Sequence, residues 1–169
     1  MKLQDTHFDN AETGCCAKLD RALWDSRELE WNNKLFLRDH IRSFLHIPLN
    51  FGSVISRDNA AIEEAEAYPL HPVWLTDEVS PWGADVYVAV DREVPGKPIE
   101  KISGTFLTRV FEGPYRNMGQ WMQEMEAWAQ SKGKTVRRTL AFYATCPKCA
   151  RHYGKNYVVG VAKVSPPPA

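Results

Sequence analysis

The sequence predicts an α+β fold made of two fused strand–helix–strand–strand units, related by a pseudo-twofold axis and separated by a groove. One stretch, residues 101–128, joins a strand pattern directly to a helix pattern. A weaker copy occurs earlier, because Ser43-Phe44-Leu45 resembles Thr105-Phe106-Leu107, and a glycine and a helix candidate follow each. Each unit has one helix, which covers one face of its sheet. The units must therefore join to complete the core.

The stretch 101–128 is the clearest part of the pattern. In its strand, Phe106 and Val110 point one way and Leu107 and Phe111 the other, so both faces can be covered. Asn117 suits the N-cap of the helix that follows. The apolar residues of that helix recur with helical spacing: Met118, Trp121, Met122, Met125 and Trp128.

The chain divides into a polar N-terminal segment, one domain and a short tail. The predicted bounds are 1–34 for the segment, 35–93 for the first unit, 94–98 for a linker, 99–164 for the second unit and 165–169 for the tail. After a short helical turn near Leu19–Trp24, the predicted elements are strand 34–49, helix 52–67, a hairpin with strands 72–77 and 84–91, strand 102–112, helix 117–131, and strands 136–145 and 156–164.

Composition restricts the class of function. The 21 basic residues equal the 21 acidic ones, so no net field attracts nucleic acid or an anionic membrane. No apolar run approaches the roughly 20 residues that span a bilayer, and no signal peptide is evident, so we expect a cytoplasmic protein. Six tryptophans and six tyrosines suit a cleft for a flat or apolar ligand.

The string SGTFLTRVFEGPYRNMGQWMQEMEAWAQSKGK, followed by FYATCP and KNYVVGVAKV, resembles the second half of GyrI-like small-molecule-binding domains. In that family a strand leads into a G-x-Y turn, then a helix with a tryptophan, then a hairpin whose first strand ends in a proline. The matching residues here are Gly113 and Tyr115, Trp121, and Tyr143 with Pro147. The resemblance covers roughly residues 35–164 and is most specific over 102–164.

The resemblance implies two fused units around a central pocket. Family members are drug-sensing domains of transcription regulators, a DNA gyrase inhibitor, and hydrolases that open the cyclopropane of DNA-alkylating natural products. Drug-sensing members carry a glutamate two residues before the hairpin tyrosine, and Ala141 occupies that position here. Sensing of cations would then need Glu112 or Glu78 instead.

Two residues are the catalytic candidates. Glu112, at a strand end beside Tyr115, is a candidate general base, and an exposed turn carboxylate is the competing interpretation. Tyr143 would face the groove as a hydrogen-bond donor if the helix covers the face of Leu140 and Phe142. The predicted ligand-binding residues are His46, Trp82, Tyr115, Trp121 and Tyr157.

Three of these positions also have plain structural interpretations. His46 can be a satisfied structural histidine, Trp82 a cap on the sheet, and Trp121 a core residue. Asp58 is interpreted as the N-cap of a helix that begins later than Gly52.

The four cysteines form a second constellation: Cys15, Cys16, Cys146 and Cys149. The pair in Cys-Pro-Lys-Cys is predicted to lie in a hairpin turn, which speaks against a thioredoxin-like redox site and against a thiol nucleophile. The four thiols, with His152 as a further ligand, could hold a structural zinc; reduced thiols are the alternative, and a disulfide suits a cytoplasmic chain least.

We therefore expect a stand-alone protein that binds a hydrophobic aromatic small molecule in the groove between the units. It would need no cofactor, and it could hydrolyse an electrophilic, cyclopropane-type toxin as a detoxification enzyme. The alternatives are a sequestering or partner-inhibiting protein and a metal-binding protein. The basic cluster of Lys132, Lys134, Arg137 and Arg138 is interpreted as solvated surface, with nucleic acid an unlikely partner.

Overall fold

A computed structural model describes residues 19–45, 47–69, 72–145 and 147–166. The chain forms two compact units. The first contains Asn32–Ser103, and the second contains the described residues 19–31 together with those from Gly104 onward.

The first unit is a mixed unit with one helix on a four-stranded antiparallel sheet of order β2-β1-β4-β3. Its elements are β1 (Arg27–Phe44, which begins in the second unit), β2 (Ile47–Pro48), α2 (Phe51–Glu64), β3 (Trp74–Ser80) and β4 (Gly83–Ala89). Alternate sheet residues such as Leu37 and Val88 pack with Ile62 of α2, so one sheet face is closed by the helix.

The second unit also places a helix on an antiparallel sheet, here a three-stranded one of order β6-β7-β5. Its elements are α1 (Arg21–Trp24), β5 (Ile99–Glu112, which begins in the first unit), a 3₁₀ turn (Tyr115–Asn117), α3 (Met118–Ser131), β6 (Thr135–Tyr143), α4 (Pro147–Tyr153) and β7 (Tyr157–Ser165). The mixed class of helices and sheet is thus confirmed, whereas the predicted strand–helix–strand–strand order is interrupted by β2 in the first unit and by α4 in the second.

Both faces of β5 are covered, as its sequence predicts. Leu107 and Phe111 join a core cluster with Trp121 and Met125 of α3. On the opposite face, Phe106 contacts Trp31 with ring centroids 4.2 Å apart. Burial of this strand on both sides explains why its sequence is apolar almost throughout.

Two predicted details are wrong. The first strand begins at Arg27 instead of residue 34. The predicted hairpin turn of the Cys-Pro-Lys-Cys motif is not plain, because its residues from Pro147 onward lie in helix α4. Asn117 is the N-cap residue of α3, as predicted, but its side chain makes no capping hydrogen bond.

Asp58 is also misassigned, since it lies in the middle of α2 and is fully buried. Its Oδ1 accepts a hydrogen bond from Lys97 Nζ at 2.8 Å, and its Oδ2 has no partner among the described residues. Burial raises the pKa of this carboxyl, although the bond from Lys97 opposes the shift. The Asp58 side chain thus forms an ion pair with Lys97, which lies in the predicted linker 94–98.

Within the described residues, no helix combines the length and the apolar character that crossing a membrane requires.

Candidate functional site

The predicted site residues of the second unit gather where its three strands end. Glu112 is the last residue of β5 and pairs directly with Tyr157, the first residue of β7. Tyr143 is the last residue of β6 and pairs with Val158. Since neighbouring strands lie about 5 Å apart, antiparallel pairing brings these chain positions to one edge of the unit. We call Glu112, Tyr115, Tyr143 and Tyr157 the strand-end site.

Tyr115 and Tyr143 form the aromatic part of this site. Their rings meet edge to face, with centroids 5.5 Å apart and an interplanar angle of 71°. The Tyr115 hydroxyl donates a hydrogen bond to the carbonyl oxygen of Thr145 at 2.7 Å. The Tyr115 hydroxyl is thus hydrogen-bonded within the protein, while the residue as a whole is 38% exposed.

Thr145 connects two of these tyrosines, a role that the sequence analysis does not assign to it. Its buried side-chain hydroxyl accepts a hydrogen bond from the backbone N–H of Tyr157 at 2.9 Å. Its carbonyl oxygen accepts the bond from Tyr115. A threonine directly before Cys146 offers no sequence signal for this, because both partners are distant in the chain.

The turn after Glu112 depends on a glycine. Gly113 has φ +144°, and an added Cβ would lie 3.3 Å from both Asn117 and the ring of Trp121. Asn156 holds this turn with two hydrogen bonds. Its side-chain Nδ2 donates to the Gly113 carbonyl at 2.7 Å, and its backbone carbonyl accepts from the Gly113 N–H at 3.1 Å. The exposed Glu112 carboxylate therefore projects from a fixed turn.

The environment of Tyr143 differs from the one predicted. Helix α3 covers the face of Ala141 and Tyr143, not that of Leu140 and Phe142. Ala141 pairs with Gly160 on β7, and these two small residues make room for the helix. Phe142 lies on the other face, with its ring 5.5 Å from that of Trp24. Tyr143 is consequently half-buried at the edge of the helix-covered core.

Trp121 lies inside this core. It is 5% exposed, and its ring stacks on Phe111 at a centroid distance of 5.4 Å. The position matches the core interpretation of the apolar stripe. Tyr157, in contrast, is half-buried, and the guanidinium of Arg21 lies 5.7 Å from its ring centroid.

The remaining predicted ligand-binding residues belong to the first unit or lie outside the described residues. Trp82, in the β3–β4 turn, is 59% exposed, and its ring centroid lies 5.7 Å from that of Phe44. His46 lies outside the described residues, and Glu78 of β3 is exposed.

Three of the four predicted zinc ligands, Cys15, Cys16 and Cys146, are also outside the described residues. Cys149 is buried on α4, and His152 is exposed. Over residues 19–45, 47–69, 72–145 and 147–166, no group of three His, Cys, Asp or Glu side chains is arranged to hold a metal. The zinc site therefore remains a prediction.

A concave surface lies between α3 and β6, apart from the strand-end site. It is an open groove of ≈ 350 Å³ lined by Met122, Gln123, Glu126, Val136, Arg137, Arg138 and Thr139. Neighbouring basic residues of the predicted surface cluster are engaged within the unit: Lys134 pairs with Glu28 at 2.6 Å, and Arg137 donates to Ser165 at 2.6 Å. Mixed charge and these pairings agree with a solvated surface.

Comparisons with solved structures show the fold. A hydrolase from Listeria innocua is 11% identical, with a TM-score of 0.58 over 83% of this chain and 92% of that one. The EcmrR C-terminal domain is 12% identical, with a TM-score of 0.59 over 85% and 99%. An uncharacterized conserved protein from Listeria innocua is 10% identical, with a TM-score of 0.58 over 83% and 92%. These neighbours support the GyrI-like fold.

No curated protein matches the sequence significantly. A family model described as "Bacterial hydrolase" matches residues 6–164, which is nearly the whole chain. The protein belongs to this bacterial hydrolase family.

Proposed function

We propose that the protein is a hydrolase that binds a flat, largely apolar small molecule at the strand-end site. The observation that carries the proposal is the edge-to-face contact of Tyr115 and Tyr143 at the sheet edge where β5 ends with the exposed Glu112. Aromatic rings offer a surface for a flat molecule, and a carboxylate at the same edge supplies a proton acceptor. Because side chains alternate along β5, Glu112 leaves the sheet on the face opposite α3 and Tyr143, so the bound molecule would have to reach around the edge.

Glu112 is the general base in this scheme. It would take a proton from a water molecule, whose oxygen then attacks the electrophilic carbon of the bound molecule. Its position directly before Gly113 fixes the backbone, while solvent exposure allows water to reach the carboxylate. No other carboxylate belongs to the strand-end site as defined above.

Tyr143 is the proposed acid. Water attack would break a ring C–C bond, and the electron pair of that bond would pass to a carbonyl oxygen conjugated with the ring. The Tyr143 phenol would donate a hydrogen bond to this oxygen as it gains charge, and the proton taken up by Glu112 balances the step when it returns to the product. The Tyr115 hydroxyl donates to the Thr145 carbonyl, so we assign Tyr115 a contact through its ring. Tyr115 and Tyr157 would then contact the ligand through their rings.

The substrate class that we propose is an electrophilic, strained-ring compound of the cyclopropane type, so the protein would detoxify such a compound in the cytoplasm. This choice rests on the resemblance to GyrI-like hydrolases and on the apolar, aromatic character of the site. Sequestration without turnover is the alternative. The partly exposed Tyr115 supports it equally well, because a ligand can stack on the tyrosine ring without being hydrolysed.

Two measurements test the proposal. Fluorescence titration with a panel of flat aromatic compounds measures binding, and chromatography of a strained cyclopropane substrate measures ring opening. We expect Glu112→Gln to lower turnover at least about 100-fold while binding changes little, since one general base contributes about that much or more. Tyr143→Phe should lower turnover as well.

The matched control is Glu93→Gln, which removes an exposed carboxylate of the first unit and should change neither measurement. Binding without ring opening in the unmodified protein would favour sequestration. A flat titration across the panel would refute a small-molecule site here.

A further inference from the structure

One end of the first unit displays a patch of large apolar side chains. We call this patch the apolar tip; its members and their exposed fractions are Phe44 (54%), Leu45 (58%), Leu49 (69%), Phe51 (50%) and Trp82 (59%). Among the described residues, Leu23 and Tyr115 are the only other large apolar side chains with comparable exposure. Scattered exposed apolar residues are ordinary, but a contiguous patch marks an interaction site.

The apolar tip has a defined structure. The N–H of Ser43 donates to the carbonyl of Trp82 at 2.8 Å, which joins the end of β1 to the β3–β4 turn. The N–H of Leu49 donates to the carbonyl of Arg42 at 2.8 Å. Asn50 accepts from the N–H of Arg42 through its side chain, also at 2.8 Å. These bonds hold the backbone that carries the apolar side chains, so little backbone ordering is needed when a partner binds.

Leu45 adds a second observation. Its φ is +49°, in the left-handed region that glycine and asparagine adopt with least strain. A leucine there costs about 1 kcal/mol of backbone energy, and its side chain is more than half exposed to water. Neither the backbone nor the solvent favours this residue, which indicates that its side chain serves a contact.

The equivalent end of the second unit is built differently. There the connection between β6 and β7 carries the helix α4, and Tyr115 is bonded to Thr145 within that connection. In the first unit the connection between β3 and β4 is only Pro81 and Trp82. The described residues therefore leave the apolar tip exposed, while the second unit has its own covering segment.

We propose that a second copy of this chain covers the apolar tip, giving a dimer in which the same patch of each copy meets the other. Charge favours this partner. The protein has formal net charge +0, so two copies do not repel each other at long range. Residues 43–56 and 79–84 contain no Asp, Glu, Lys or Arg, so the apolar side chains can meet without burying a charge, and the exposed Arg42 directly precedes the first of these ranges. An anionic membrane would instead require a cluster of basic residues.

The size of the patch fits a weak dimer. Aromatic side chains present 150–250 Å² each, so the three half-exposed rings leave about 300 Å² per copy. With Leu45 and Leu49 included, two facing patches would bury about 1,000 Å² in total, which is near the lower limit of specific interfaces. The dimer is therefore reversible, and its population rises with protein concentration.

Sedimentation velocity of the full chain over a wide range of concentration tests the proposal. We expect monomer at low concentration and dimer at high concentration. The double variant Leu49→Ser/Trp82→Ser should stay monomeric at every concentration, with an unchanged circular dichroism spectrum. The control Leu23→Ser removes a leucine of 47% exposure outside the tip and should dimerise like the unmodified protein.

Two outcomes would overturn the dimer. The unmodified protein could remain monomeric throughout, or the double variant could dimerise as strongly as its parent, which would place the interface elsewhere. Flotation with neutral and anionic vesicles identifies a lipid surface as the occupant if a monomeric protein binds them through Trp82. Ligand titration of Leu49→Ser alone keeps this test separate from the proposed function, because Leu49 belongs to the apolar tip but not to the predicted ligand-binding residues, whereas Trp82 belongs to both.

Discussion

The two units turn from their long strand into their helix in contrasting ways. In the first, β1 ends at Phe44, and the turn that follows exposes apolar side chains. In the second, β5 ends at Glu112, and the turn is tied down by Asn156 and by the Tyr115 hydroxyl. The same order of strands and helix thus carries an apolar surface at one end and a polar, aromatic site at the other. Function differs because the connections differ.

The two helices also bury different chemistry. Helix α3 buries Trp121, Met125 and Ala129, all apolar or largely so. Helix α2 buries Asp58 between Val54 and Ile62 and depends on Lys97 to neutralise it. The first unit therefore contains an electrostatic weak point that the second lacks at the corresponding helix face. The predictions below test this contrast, beginning with the largest effect.

Lys97→Met should destabilise the first unit by about 3 kcal/mol, because it removes the cation that is hydrogen-bonded to the buried Asp58 carboxylate and leaves it the more distant Arg57, whose Nε lies 4.0 Å from Oδ1. Methionine keeps most of the length of the side chain, so packing changes little. Urea denaturation measures the free energy of unfolding. The control Lys101→Met removes an exposed lysine and should have little effect. Equal stability of the two variants would show that the Lys97–Asp58 pair contributes nothing.

The pH dependence of this loss has a definite sign. Burial raises the pKa of Asp58 above its ordinary value, so the folded state holds the proton more tightly than the unfolded state. Its ionisation destabilises the folded protein as pH rises from the unfolded pKa through the folded pKa. The difference between Lys97→Met and the unmodified protein should therefore be smallest in acid and grow toward neutral pH.

Gly160→Val should cost about 2 kcal/mol, because it overpacks the surface on which α3 rests. An added Cβ at Gly160 would lie 3.1 Å from Met125 Cγ and 3.2 Å from the Phe111 ring. Thermal denaturation measures the effect. The control Gly119→Ala should instead stabilise the protein, because no atom lies within 4 Å of its added Cβ and alanine favours a helix. A Gly160→Val protein as stable as its parent would mean that α3 moves freely on the sheet.

The sequence predicts the second unit best. The methionine and tryptophan stripe placed α3 at 117–131, and the helix spans Met118–Ser131. Local periodicity suffices there because the helix faces a single core. The sequence does not predict the start of β1, because residues 27–33 are mostly charged or amide side chains with Leu29 and Trp31 between them. It does not predict α4 either, because that short segment has a proline and no apolar stripe.

The errors at the candidate site have a different origin. The orientation of Tyr143 depends on Gly160, which lies on another strand and allows α3 to approach the Ala141 face. The burial of Asp58 depends on Lys97, which is 39 residues away in the chain. Residue patterns along one element do not contain such long-range pairings. Residue types at the strand ends, such as Glu112 and Tyr115, can be selected from sequence, but their partners cannot.

The smallest effect concerns the hydroxyl of Tyr115. Tyr115→Phe removes its hydrogen bond to the Thr145 carbonyl and should cost about 1 kcal/mol. The ring contact with Tyr143 remains, so binding of a flat ligand should be unchanged. Tyr115→Ala removes hydroxyl and ring together and should weaken binding as well. Denaturation and fluorescence titration of both variants distinguish the two roles. If Tyr115→Phe binds as weakly as Tyr115→Ala, the hydroxyl and not the ring recognises the ligand, and the polar end of the second unit is then more than a rigid aromatic support.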